Sequence, residues 1–258
     1  MNANIFLLTH KCGNNFIQDI FKRPKSINPL KRILLKKSSL NHYASSYFEL
    51  TPKQTLEDSA FKKKFINLRC RNFRVEDTKL LIKKLDPQFA RFFIFTRHPA
   101  TFFRSATKYH LRGNENWARE RKLEYFDNQT LYETLHKCSN FGEQLIVGMT
   151  HFGIKSGLVK NWVENINHLK KRKLNYYQIH CDELWQSKQY IKDFHKLISH
   201  GGFNIKYEEI FSKSPIGRKK LKIHSTGEFL KNPYDDYDQN ALDFYKMNFN
   251  EVESILNF

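Results

Sequence analysis

The sequence predicts an α/β protein of three layers, α/β/α, in which helices cover both faces of a central, mainly parallel sheet. Three observations carry that class. Ile5-Phe6-Leu7-Leu8 and the Phe92–Phe95 centre of "ARFFIFTR" (90–97) are short unbroken apolar runs, the composition of strands buried on both faces. Strand-like and helix-like stretches alternate along the chain, which is the order of βαβ units. Both apolar runs stop abruptly at a cation and a turn residue: Lys11 stands just before Gly13, and Arg97 just before His98-Pro99.

The elements follow in order. After the first strand, "NNFIQDIFKR" sets Phe16, Ile17, Ile20 and Phe21 on one helical stripe, with Asn14 as its N-cap and Pro24 just past its end. Residues 24 to 60 carry a basic helical piece around Leu30–Leu35 between Ser-rich connectors, an excursion between sheet strands. "KKFINLRC" (63–70) reads as a second strand, and "VEDTKLLIKKL" (75–85) as an amphipathic helix with Leu80, Leu81 and Leu85 inward. The strand at 90–97 leads into a helix, "TFFRSATKYH", with Phe102, Phe103, Ala106 and Tyr109 on one face. Residues 111 to 140, charged and aromatic without clean periodicity, are expected to form helices or loops over a site. A helix at 157–171, a fourth strand at 174–181 and one helix at 182–199 complete the pattern. At 258 residues this makes a single domain over 1–258, with excursions near 24–60 and 111–156 that shape a substrate pocket.

Composition narrows the partner class. Lys and Arg total 44 against 26 acidic residues, a formal net charge of +18. An excess of that size suits an anionic partner such as nucleic acid, acidic membrane or a phosphorylated ligand, although surplus lysines also serve as solvated surface. The four cysteines, Cys12, Cys70, Cys138 and Cys181, form no CxxC pair, so a reduced, cytoplasmic protein is expected. The apolar run at the N-terminus is far shorter than the roughly 20 residues that span a bilayer, and no membrane span is expected. His10 and Cys12, with His180 and Cys181, have the N/S chemistry of zinc ligands, but neither pair has structural-site spacing and adjacent strand residues point to opposite faces. No metal is expected. Trp162 and Trp185 read as packing, and Trp117 with Arg119 and Arg121 as packing or an acceptor cleft.

In a parallel sheet, ligands bind at the C-terminal strand ends. Lys11 and Arg97 stand there, each followed by a helix whose N-terminus favours anions. Two such cations suit a ligand with two separated anionic groups, and Ser105, two turns into its helix, adds a hydroxyl.

"FLLTHKCGNNFI" resembles the 5′-phosphosulfate loop of the sulfotransferase family, a strand leading into Lys-x-Gly-(Thr/Ser)-(Thr/Ser) and a helix. "RHPATFFRS" is similar to that family's 3′-phosphate motif, Arg-(Asp/Asn)-Pro followed by a Ser eight residues after the Arg; Arg97, Pro99 and Ser105 keep the spacing. "NYYQIHCDEL" resembles its strand ending in Glu-Asp-Leu, and "KIHSTGEFLKN" its basic, Gly-containing closing loop. The resemblance implies the P-loop-NTPase-like sulfotransferase fold and 3′-phosphoadenosine 5′-phosphosulfate as co-substrate, with no metal. It also implies nucleotide contacts from Lys11, Cys12, Gly13, Asn14, Asn15 and Phe16, from Arg97 and Ser105, and from Lys222, Thr226 and Gly227. Lys11 would stabilise the leaving oxygen. Glu49 in "SSYFELTP" is the nominee for general base, with His10 and His98 as rivals. The acceptor would bring a hydroxyl or amine on a sugar, an anionic glycan or a small molecule.

Two departures stand out. Asn14 and Asn15 replace hydroxyl residues, and His98 replaces the acidic residue after the motif arginine. Two other classes stay open. A P-loop nucleotide kinase would place its lysine after the glycines and a hydroxyl residue beside it, whereas Lys11 precedes Gly13 here. A basic nucleic-acid-binding protein would use clusters such as "GRKKLKIH" (217–224), which reads equally as a solvated run or as the closing loop; no nucleic-acid-binding signature accompanies it, and no nucleic-acid partner is expected.

Overall fold

The computed structural model describes residues 2–21, 45–50, 65–200, 205–217 and 232–258. Its strands are β1 (Asn2–Leu8), β2 (Ser45–Leu50), β3 (Phe65–Arg71), β4 (Ala90–Thr96), β5 (Lys122–Leu123), β6 (Gln129–Thr130) and β7 (Asn175–His180). The chain divides into two compact units, Met1–Thr96 with Asn165–Lys219, and Arg97–Glu164 with Lys220–Phe258.

The first unit holds a five-stranded sheet in the order β2-β3-β1-β4-β7, and every pairing in it is parallel. Ala3 to Leu8 of β1 and Phe92 to Phe95 of β4 are buried without alternation, as strands covered on both faces must be. The register sets Leu7 beside Ile94, so β1 and β4 end at the same edge of the sheet. Phe6 stacks on Phe93 at 4.9 Å and Phe93 on Tyr177 at 5.4 Å, a ladder running across three strands.

Three expectations are corrected here. The excursion at 24–60 contains a sheet strand, β2, which pairs with β3; the rest of it lies outside the described residues. Leu80 faces solvent at 61 % exposure, because Val75, Thr78 and Leu81 occupy the buried stripe of the helix Val75–Lys83 and residue 80 stands about 100° off it. That stripe is pinned by Thr78, whose hydroxyl donates to Asn165 Oδ1 at 2.6 Å, and Asn165 donates on to the Phe73 carbonyl. The segment at 182–199 is two helices, Cys181–Gln186 and Lys188–His200, broken at Ser187. Ser187 adopts an extended conformation, and its Oγ accepts from Tyr190 N–H. Trp185, half-buried, packs edge-on against Phe16 at 5.0 Å.

Among its described residues, the second unit's regular structure is helical apart from the short β5–β6 hairpin. Its central element, Pro99–Leu111, buries Phe102, Phe103, Ala106 and Tyr109 together as expected. The helix Phe141–Gly148 comes so close to it that a Cβ on Gly148 would collide with Thr107 Oγ1. A π-helical stretch, Met149–Lys155, continues that helix, and Gln239–Ile255 closes the chain. Trp162 is buried against Phe102 at 5.3 Å. Among the described residues no helix is long and apolar enough to cross a membrane, and all four cysteines are free thiols.

Candidate functional site

The turn after β1 is built from left-handed backbone. Lys11 has φ 60° and Gly13 φ 72°, the two flanking Cys12. A lysine in that region is strained by about 1 kcal/mol or more, and such strain concentrates where the chain binds or reacts. Alternation of left- and right-handed residues turns successive N–H groups into a concave anion nest. Cys12 N–H closes the turn on the Thr9 carbonyl at 3.2 Å, and Ile17 N–H donates to the Gly13 carbonyl at 2.9 Å. Gly13 is therefore the N-cap in place of the expected Asn14. Asn14 instead reaches back, its Nδ2 donating to the Thr9 carbonyl at 2.7 Å, so it braces the turn. As at any helix start, the first N–H groups of Asn14–Phe21 have no acceptor within the helix.

Below this turn lies a cation that sequence reasoning passed over. Arg69, in β3, is only 2 % exposed, and its Nη1 donates to the Asn14 carbonyl at 3.2 Å. The sign was an arginine inside the apolar strand "FINLRC": a buried charge is costly unless it is hydrogen-bonded. Cys70, beside it, has its thiol pushed well up by burial and then by Asp77, so it is an inert core residue.

Gly13 faces Phe95. A Cβ there would lie 2.7 Å from the Phe95 ring. Gly13→Ala should therefore lose about 2–4 kcal/mol, part backbone strain and part overpacking, read as a drop in the urea midpoint.

Arg97 follows β4 directly and begins the second unit's segment. Its Nε donates to Thr101 Oγ1 at 3.1 Å, and that hydroxyl donates to the His98 carbonyl at 2.9 Å. Thr101 and Ser105 are one turn apart on the helix Pro99–Leu111, so Ser105 stands on the face along which Arg97 lies. His98 is the N-cap: its Nδ1 accepts from Ala100 N–H at 3.2 Å, with Pro99 at the first helical position. That answers what replaces the missing carboxylate, since an unprotonated imidazole nitrogen caps as a carboxylate oxygen does. With Nε2 set 3.4 Å from Glu253, both ring nitrogens are engaged.

Further along the same helix, Arg104 and Lys108 converge on Asp236 Oδ2 at 2.6 and 2.8 Å. Burial pushes the Asp236 carboxyl up, but the hydrogen bonds from Lys108 and Arg104 outweigh it and hold the group below the ordinary carboxylate range. Trp117 stacks on His151 at 5.5 Å and donates from its indole nitrogen to Glu115, so it packs. Cys12 and Phe16 are buried, and Asn15 is exposed. Glu49 falls in β2, with its side chain outside the described residues; Lys222, Thr226 and Gly227 also lie outside them.

No protein-family model and no curated protein sequence matches the chain. Among solved structures, it is similar to mouse sulfotransferase SULT7A1 complexed with PAP, with a TM-score of 0.52 at 12 % identity, over 98 % of this chain and 87 % of that one. The chain has a sulfotransferase-like fold, α/β with a parallel central sheet.

Proposed function

We propose that the chain is a sulfotransferase moving a sulfuryl group from 3′-phosphoadenosine 5′-phosphosulfate to a hydroxyl or amine acceptor, a carbohydrate or a small molecule. The observation that carries this reading is the turn after β1, where a left-handed lysine and glycine precede a helix start at the mouth of a buried parallel strand, in a sulfotransferase-like fold. In this reading the N–H groups from Gly13 to Phe16 take the 5′-phosphosulfate. They act through the backbone, so asparagines in place of hydroxyl residues leave them unchanged. With the Asn14 amide committed to Thr9, exposed Asn15 is the side chain that offers amide donors. Arg97 and Ser105 take the 3′-phosphate, and Lys222, Thr226 and Gly227 close over the nucleotide.

Sulfuryl transfer, like phosphoryl transfer, depends mainly on positioning and on charge stabilisation. Negative charge grows on the oxygen between sulfur and the leaving 5′-phosphate, and the Lys11 ammonium answers it there. The acceptor's proton needs a base. β2, which carries Glu49, is the outermost strand, two strands and about 10 Å across the sheet from β1. His10 immediately precedes Lys11, so we favour His10. Four free thiols suit a reducing compartment, and we place the protein in the cytoplasm.

Thermal shift separates this reading from the others. Adenosine 3′,5′-bisphosphate at a hundredfold excess over its Kd should stabilise the fold by about 2.7 kcal/mol, while ATP with Mg²⁺ and a duplex oligonucleotide leave the melting temperature unchanged. Stabilisation by ATP with Mg²⁺ or by the duplex, and not by the bisphosphate, would overturn it. A radiolabelled donor offered to pooled acceptors then identifies the acceptor class.

A further inference from the structure

The N-cap of the helix Pro99–Leu111 does not stand alone. His98 uses Nδ1 as an acceptor, so a neutral ring carries its proton on Nε2, facing Glu253 Oε1 at 3.4 Å. Both side chains are largely buried, at 13 % and 18 % exposure. The other oxygen of Glu253 accepts from Tyr234 Oη at 2.6 Å and Tyr245 Oη at 2.5 Å, and these two hydroxyls fix the carboxylate in place. Burial, and then the hydrogen bond to Glu253, push both phenols well above their ordinary range, so they stay donors throughout the neutral pH range. Tyr237 completes the enclosure by donating to the Ala100 carbonyl at 2.9 Å, in the same turn that His98 caps. A histidine can cap a helix only in one tautomer, whereas an aspartate or asparagine needs no such help.

We propose that Glu253 is a positioning residue for the phosphate-binding segment: it holds His98 in the tautomer that caps Pro99–Leu111, and so fixes the helix turn from which Arg97 is braced on Thr101. The role rests on the reading of Arg97 as a 3′-phosphate ligand. It assigns to the C-terminal helix Gln239–Ile255 a part in nucleotide affinity, through a chain of contacts Glu253–His98–Ala100 that touches no ligand.

A double-mutant cycle on the full-length protein tests it, with two readouts: the Kd of adenosine 3′,5′-bisphosphate by calorimetry, and hydrogen exchange of the peptide spanning residues 98–104. Glu253→Leu should weaken the nucleotide about tenfold and speed exchange in that peptide. Glu253→Gln, whose amide oxygen still accepts from Nε2–H, should stay within about threefold of wild type. In a His98→Asn background, where the amide oxygen caps unaided, Glu253→Leu should add no further change in either readout. Equal losses from Glu253→Leu in both backgrounds would overturn the proposal, as would a lowered melting temperature with unchanged Kd and exchange, since Glu253 would then only tie down the C-terminal helix. A wild-type protein that does not bind the bisphosphate sinks the sulfotransferase reading instead. The exchange arm then still decides whether Glu253 acts through His98.

Discussion

Lys11→Met should lower the rate of sulfuryl transfer by about 10²–10³ while leaving the fold intact, because methionine keeps the stem and removes only the charge that answers the leaving oxygen. Affinity for adenosine 3′,5′-bisphosphate should fall far less than the rate, since the full charge on the bridging oxygen exists only in the transition state. Backbone strain complicates any substitution here, as Lys11 sits at φ 60°. Methionine pays the same left-handed cost as lysine, so its melting temperature should match wild type. Lys11→Gly relieves that cost and should be at least as stable as Lys11→Met, yet equally slow. The pair separates chemistry from conformation. Wild-type turnover in either variant would remove Lys11 from the mechanism, and a collapse of both melting temperatures would mean that the side chain serves the fold.

The legible parts of this chain were those where one residue pattern had one physical meaning. β1 and β4 were readable because a long run of large apolar residues is costly to leave on a surface, and the turn after β1 because Lys, Gly and Asn interrupt the apolar run with a glycine suited to left-handed backbone. β2 was not readable: "SSYFEL" is short, and it follows a basic polar stretch with no apolar run to mark it as a sheet strand. Leu80 and Leu81 look equivalent in sequence, but adjacent residues on one helix cannot share a narrow stripe, and the buried Thr78–Asn165 bond chose Leu81. Ser187 breaks a helix whose apolar spacing runs on past it, because its side chain competes for the next turn's N–H. At the candidate site, Lys11, Gly13, Arg97 and Ser105 were visible as residue types in a pattern. Arg69 showed only as an arginine within an apolar strand, its partner Asn14 lying 55 positions away, and the capping role of His98 was hidden because its bond to the Ala100 N–H needs one imidazole tautomer that the residue type does not announce.

His151 should make the protein acid-sensitive. It lies in the π-helical stretch, 7 % exposed, with Nδ1 2.6 Å from Tyr125 Oη, Trp117 stacked on its ring and Phe152 edge-on at 4.6 Å. Burial, and then the nearby His110 and Arg121, lower its pKa from 6.5 to about 4. In the unfolded chain it would bind a proton near 6.5, so the unfolded state binds more protons between those values and stability must fall as pH falls through that window. The contribution is complete above pH 6.5 and is lost progressively down to about pH 4. Between pH 7.5 and 4.5 this one group should remove about 2.5 kcal/mol of stability, a large share of what a domain of this size has to lose. His151→Gln keeps an acceptor for the Tyr125 hydroxyl but cannot titrate. Its urea midpoint at pH 7.5 should therefore lie below wild type, while its loss on going to pH 4.5 should be smaller by about 2.5 kcal/mol. Other groups that titrate in this range, His168 and His180 among them, are common to both proteins and cancel in the difference. Parallel stability curves for the two proteins would show that the imidazole charges in the folded state at its ordinary pKa, and that the aromatic stack around it admits water.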